Sequence, residues 1–74
     1  MADAPRRFPP PWRADRIPGG YVVRDDNGQE LAYIYSRANE AEARQAKVLT
    51  ADEARRIAAN IARLPELLGK GERN

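Results

Sequence analysis

The 74-residue chain contains no cysteine and no histidine. The first absence excludes disulfide staples; the two together remove the thiolate and imidazole ligands that most zinc and copper sites use. Hydroxyl nucleophiles are nearly as scarce, with Ser36 and Thr50 the only serine and threonine. Serine-type nucleophiles need a positioned base, most often histidine, so no such triad can be assembled. Gly19-Gly20 lacks both the spacing and the following helix of a phosphate-binding loop, and the carboxylates are not spaced as a calcium loop requires. No run approaches the ~20 apolar residues of a membrane-spanning helix. The opening residues, MADAPRRFPPPW, hold no apolar stretch of the secretory-signal kind. The expectation is a soluble cytoplasmic protein without metal or cofactor, and not an enzyme.

What is present is arginine, alanine and a modest set of aromatics. The eleven arginines and two lysines outweigh eleven acids to leave a net charge of +2. The excess is spread out: four Arg against two Asp over residues 1–20, two Arg against three acids over 21–37, and five Arg with two Lys against six acids over 38–74. No segment is a basic run, so the high pI does not by itself point to nucleic acid. A single domain this short buries only roughly 60% of the surface its unfolded chain exposes. Without staples it must rely on helix and sheet packing, or on a partner subunit.

Three regions follow from the pattern. Residues 1–11 are a proline-rich N-terminal arm: Pro5, Pro9, Pro10 and Pro11 favour extended polyproline II, and Phe8 and Trp12 flank the triplet as pins to the body. The arm reads either as a strap over the sheet or as a polyproline ligand for another protein. Residues 12–68 form one β-β-β-α domain, and 69–74 a flexible C-terminal tail. A first strand over residues 12–17 ends at Pro18-Gly19-Gly20. Tyr21–Arg24 and Glu30–Tyr35 are rich in Tyr, Val and Ile and read as strands. Between them Asp25-Asp26-Asn27-Gly28 suits a type I turn closed by a left-handed glycine.

The length of that turn decides which side chains share a face. A three-residue loop pairs Arg24 with Glu30, Val23 with Leu31, Val22 with Ala32 and Tyr21 with Tyr33. The competing two-residue loop sets Asp25 opposite Glu30, which is destabilising. The favoured register predicts Tyr21, Val23, Leu31, Tyr33 and Tyr35 on one face and Val22, Arg24, Glu30, Ala32 and Ile34 on the other.

Asn39 is placed to cap a short helix over Glu40–Lys47. Thr50-Ala51-Asp52-Glu53 is a capping box, in which the Thr50 hydroxyl accepts from the Glu53 amide while Glu53 reaches back. The helix it opens runs from about Ala51 to Arg63 or Leu64, where Pro65 imposes a stop or kink; Leu67-Leu68 adds a last turn before Gly69. At ~100° per residue, Ala54, Ile57, Ala58, Ile61, Leu64 and Leu68 form the predicted core stripe. Ala51, Ala59 and Ala62 form a small-residue sector that would admit a second helix, from residues 40–47 or another subunit. The fold class is therefore α+β: a small antiparallel three-stranded meander packed against one main C-terminal helix, with room for a short helix ahead of it.

Apolar residues on both sheet faces exceed what one good helix can cover. Surplus apolar sheet marks an interaction surface, covered by the arm, by a second copy or by a partner protein. The candidate partner-binding residues are Val22, Ala32, Ile34, Tyr35 and Trp12. The alternative is DNA or RNA binding through Arg13, Arg16, Arg24, Arg55, Arg56 and Arg63, with tyrosines for base stacking. Against it, Asp52 lies within one helical turn of Arg55 and Arg56, so solvated ion pairs explain those residues equally well. The carboxylate pairs Asp25/Asp26 and Asp52/Glu53 already have structural explanations, in the turn and the cap.

The string Gly20-Tyr21-Val22-Val23-Arg24-Asp25, Asn27-Gly28-Gln29, Leu31-Ala32-Tyr33, Tyr35, then Leu49-Thr50, Asp52-Glu53-Ala54-Arg55-Arg56-Ile57-Ala58, Asn60-Ile61-Ala62 and Leu64 to Leu68 resembles a family of short uncharacterised alphaproteobacterial proteins. The resemblance spans about residues 12 to 68 and implies a shared fold, with no activity attached. The chain departs from that pattern between Ser36 and Lys47, where relatives carry an acidic, glycine-containing loop. In element order alone, the chain is also similar to the three-stranded, one-helix arm-binding domains of phage-type integrases, which bind DNA through the sheet.

Overall fold

The computed structural model describes residues 8–71, with side chains through Leu67. Three antiparallel strands, β1 (Arg13–Ile17), β2 (Gly20–Arg24) and β3 (Glu30–Arg37), form the meander. Helix α1 (Glu40–Ala46) then crosses to a two-residue strand, β4 (Leu49–Thr50), which pairs parallel to β3. Helix α2 (Ala51–Ala62) follows directly, then α3 (Leu64–Gly71). The sheet is thus four-stranded and mixed, in the order β1-β2-β3-β4; β4 corrects the expectation of three strands. α3 continues past Gly69 to Gly71, and residues 1–7 of the arm and 72–74 of the tail lie outside the described residues.

Local chemistry accounts for most boundaries. The Asp25 carbonyl accepts from the Gly28 amide at 3.1 Å, and Gly28 takes a φ of +88°, open to glycine at little cost. The Asp25 carboxylate, 2% exposed, accepts from the amides of Asn27 (2.8 Å) and Gln29 (2.9 Å), so the turn carries its own scaffold. Asn39 caps α1 by accepting from the Glu42 amide, and Lys47 ends it in the left-handed conformation. The Thr50–Glu53 capping box is fully formed, with Thr50 Oγ1 accepting from the Glu53 amide at 3.2 Å and Glu53 Oε1 from the Thr50 amide at 3.0 Å. Pro65 sits in the first turn of α3, where its missing N–H costs no helical bond.

The turn keeps Arg24 opposite Glu30, but the expected register holds no further. A bulge between Val23 and Arg24 shifts the pairing by one, so Val23 faces Ala32, Val22 faces Tyr33 and Tyr21 faces Ile34. Leu31 is the extra residue. The bulge lets Leu31 and Ala32 both pack on the core while turning Ile34, rather than the tyrosines, toward α2. The core lies between the sheet and α2: Val23, Ile34, Ala54 and Ala58 are buried, with Trp12, Ala14, Tyr21, Leu49, Ile61 and Ala62 packed around them. The helix stripe is corrected as well, since Ile57 and Leu64 are exposed while Ala62 joins the core. Alanines at the contact let α2 lie close to the strands, so the helix face nearest the sheet is the small-residue one. Residues 40–46 do not occupy the alanine sector; α1 packs on β3 and β4 and not on α2.

Candidate functional site

Strand alternation divides the sheet into two unlike surfaces. Ala14, Tyr21, Val23, Ala32 and Ile34 face α2. Arg13, Asp15, Val22, Arg24, Tyr33 and Tyr35 lie on the opposite face. Among the described helices only α2 reaches β1 and β2, and α1 reaches only β3 and β4, so no described helix covers the far side of the first two strands.

On this open face Tyr33 and Tyr35 are 46% and 63% exposed and stack with ring centroids 6.1 Å apart and planes 18° from parallel. Val22, opposite Tyr33 in the ladder, is fully buried although it lies outside the α2-side core. Beside the tyrosines runs a row of paired charges. Asp15 accepts from Arg13 Nε at 3.1 Å and from Arg24 Nη1 at 2.7 Å, and Arg24 Nη2 reaches Glu30 at 3.3 Å. Glu30 in turn accepts from the Tyr33 hydroxyl. The row therefore crosses β1, β2 and β3 and fixes the Tyr33 ring from its polar end.

The titration directions follow these contacts. The Arg24 hydrogen bond holds the Asp15 carboxyl below its ordinary range, with the Arg13 charge adding to it. The Tyr33 hydroxyl and Arg24 likewise hold Glu30 down. Donation to Glu30, reinforced by desolvation, pushes the Tyr33 phenol up. Asp15 and Glu30 keep Arg24 charged.

The predicted partner-binding residues do not come together on one surface. Tyr35 and Val22 lie on the open face; Ala32, Ile34 and Trp12 are on the α2 side, with Ile34 only 8% exposed. Tyr33, which the expected register paired with Tyr21, belongs with Tyr35. The signal for it was the Tyr33-Ile34-Tyr35 alternation, which sets both rings on one side whichever way the strand is turned. Trp12 Nε1 donates to the Phe8 carbonyl at 2.9 Å, and the Pro9 carbonyl accepts from the Asp26 amide at 2.9 Å, so the end of the arm is tied to itself and to the β2–β3 turn. A groove of about 450 Å³ runs between Pro10, Pro11 and Trp12 on one side and Ala62, Arg63, Pro65 and Glu66 on the other.

The six candidate nucleic-acid arginines are also dispersed. Arg13 and Arg24 are in the open-face row, Arg16 alternates to the α2 side, and Arg55 and Arg56 both pair with Asp52, at 2.9 and 3.1 Å. Those two guanidiniums lower the Asp52 pKa, the Arg55 hydrogen bond most. Arg63 is the C-cap of α2.

Of the groups with reactive chemistry, Ser36 is buried, the Thr50 hydroxyl is engaged in its cap, and the Asp25 carboxylate is engaged in its turn. No group of three or more acidic side chains among the described residues is arranged to hold a metal ion, and no described helix is long and apolar enough to cross a membrane. Compared with protein-family models, curated proteins and solved structures, the chain matches none. None of these comparisons bears on the alphaproteobacterial resemblance.

Proposed function

We propose that this chain is a small non-catalytic binding module that docks a partner protein on the open face of its sheet, over Tyr33 and Tyr35. One observation carries the reading: two large, stacked, exposed rings stand on the sheet face opposite the α2-side core, beside strands β1 and β2 whose far side no described helix reaches. Tyrosine offers wide, rigid contact area with only two side-chain torsions to immobilise, and it retains a hydroxyl for the polar rim of an interface. Arg13, Asp15, Arg24 and Glu30, the charges beside the rings on β1, β2 and the start of β3, are paired within the chain. A phosphate backbone is bound by uncommitted cations. Arginines already bound to Asp15, Glu30 and Asp52 serve it poorly, which favours protein over nucleic acid. The burial of Ser36 and the engagement of Thr50 in its cap and Asp25 in its turn support the absence of catalysis in this reading.

The test is site-specific photocrosslinking in the cells that make the protein. A crosslinking residue at Tyr35 is expected to yield discrete protein adducts that weaken when Tyr33→Ser is added. The same residue at Gln45, exposed on α1, is expected to yield none. Absence of adducts from position 35, or equal adducts from both positions, overturns the reading. Nucleic-acid adducts from position 35, together with affinity for mixed DNA and RNA that falls steeply with salt, replace it with the nucleic-acid alternative.

A further inference from the structure

We propose that the outer edge of β1 is the seam of a two-fold dimer, in which two copies of the chain join antiparallel about Ala14 into one continuous sheet. The inference goes beyond the docking of a partner on the open face and does not depend on it.

β1 stands at the end of the strand order, and among the described residues no strand pairs with its outer side. The direction of its backbone groups follows from the ladder. The Gly19 carbonyl accepts from the Ser36 amide at 2.9 Å, so odd-numbered residues of this segment bond toward β3. Gly20, Val22 and Arg24 then bond toward β1, to Ile17, Asp15 and Arg13, their partners in the register. That leaves Ala14 and Arg16, and by continuation Trp12, with their N–H and C=O groups turned outward. Proline bounds this row at each end, at Pro11 and Pro18, and supplies no donor beyond it. An unpaired edge of this kind is a template for another strand.

The side chains select the copy and the register. In an antiparallel two-fold dimer, outward residues must pair with outward residues, which restricts the choice of centre. Centring on Arg13 sets Arg13 against Arg13, centring on Asp15 sets Asp15 against Asp15, and centring on Arg16 sets Arg16 against Arg16. Each places like charges directly opposite. Centring on Ala14 does the reverse. Arg13 of each copy falls opposite Asp15 of the other, so the row of ion pairs on the open face runs on across the seam. On the α2 side, Trp12 falls opposite Arg16, a guanidinium against an indole. Ala14 meets its own copy with no bulk between the backbones. Charges that blunt this edge toward other strands thus become complementary toward its own copy. The gain suits a chain whose buried hydrophobic side chains, among the described residues, are Val22, Val23, Ile34, Ala43, Ala54 and Ala58. Both open faces end on the same side of the joined sheet, placing two Tyr33–Tyr35 pairs on one surface.

Sedimentation equilibrium and engineered crosslinking test the seam. The full chain is expected to rise with concentration from 8.3 kDa toward twice that mass. Ala14→Pro deletes an outward N–H without touching the β1–β2 ladder, and proline is tolerated on an outward-facing edge position. It is expected to remain monomeric with an unchanged circular-dichroism spectrum. In a chain with no cysteine of its own, Ala14→Cys is expected to oxidise to a covalent dimer, because directly paired strand residues lie ~5.5 Å apart, within disulfide reach. Ile17→Cys, away from the two-fold axis, is expected not to. A mass fixed at 8.3 kDa up to millimolar concentration overturns the proposal. So does a dimer that crosslinks no better through position 14 than through position 17.

Discussion

The two faces of this sheet are built from interleaved residues of the same strands, yet they obey different physics. On the α2 side, small and branched residues are buried against alanines. On the open side, Val22 is sealed with no described helix above the strand, and the surrounding residues satisfy one another through Arg13, Asp15, Arg24, Glu30 and Tyr33. One face specifies the fold by excluded volume. The other is held in shape by a polar lattice and leaves two rings free for use. Residues adjacent in sequence should therefore differ sharply in what their removal costs.

The largest effect is expected where the two faces are locked together. Gly20 begins β2, and a Cβ built on it would stand 2.1 Å from the Ile34 carbonyl oxygen, on backbone that cannot rotate away. Gly28 also has a positive φ, but a Cβ there meets nothing within 4 Å. Gly20→Ala should cost ~3 kcal/mol or more through overpacking, and Gly28→Ala only ~1 kcal/mol through backbone conformation. Urea unfolding of both variants separates the two causes. Equal midpoints would show that the strands are not held so closely at Gly20.

The next comparison is between neighbours on β3. Ile34→Ala removes a core side chain and should cost ~2–4 kcal/mol. Tyr35→Ala, one residue on and 63% exposed, should cost less than ~0.5 kcal/mol while abolishing partner crosslinking through the open face. Similar costs for the two would mean that the open face is buried in the protein's working state, and would undo the distinction between the faces.

How much of this was legible depended on how local each cause is. Capping boxes, Asx turns and caps such as Asn39 are settled within four residues, and Thr50–Glu53, Asp25–Gly28 and Asn39–Glu42 all formed as the sequence implied. The surplus of apolar sheet over helix was also readable, because it is a matter of composition. The bulge at Leu31 was not. Its cause is tertiary: Leu31 and Ala32 both find room against the α2-side core, and a one-residue slip then exchanges the faces of everything downstream. For that reason the sequence puts Tyr33 and Tyr35 on the face of Tyr21 and Val23, whereas the structure sets them on the face of Val22 and gives the Tyr21 side to Ala32 and Ile34. β4 escaped because two residues carry no periodicity, and its pairing with β3 depends on where α1 returns the chain. The core face of α2 was rotated for a similar reason, since close approach to a sheet rewards Ala62 over the bulkier Leu64.

The smallest effect is electrostatic and lies wholly on the open face. Glu30 accepts a hydrogen bond from the Tyr33 hydroxyl, which holds the carboxyl below its ordinary 4.5 and the phenol above its ordinary 10.0. The signs are opposite in their consequences for stability. A lowered carboxyl contributes stability above its unfolded value, and that contribution is lost as pH falls through the folded one. A raised phenol contributes below its unfolded value and loses the contribution as pH rises through the folded one. The pair should therefore support the fold across the neutral range and release it at both ends, with Asp15 adding to the acid limb because Arg24 lowers its pKa too. Glu30→Gln removes the charge but keeps an acceptor, so Tyr33 should then ionise closer to its ordinary value. Phenolate absorbance followed against pH reads this as the downward movement of one of the three tyrosines, and Tyr33→Phe assigns it. If the substitution leaves all three titrations in place, Glu30 does not hold Tyr33. The row of charges would then be a set of independent surface pairs, and the open face would lose the lattice that distinguishes it from ordinary solvent-facing sheet.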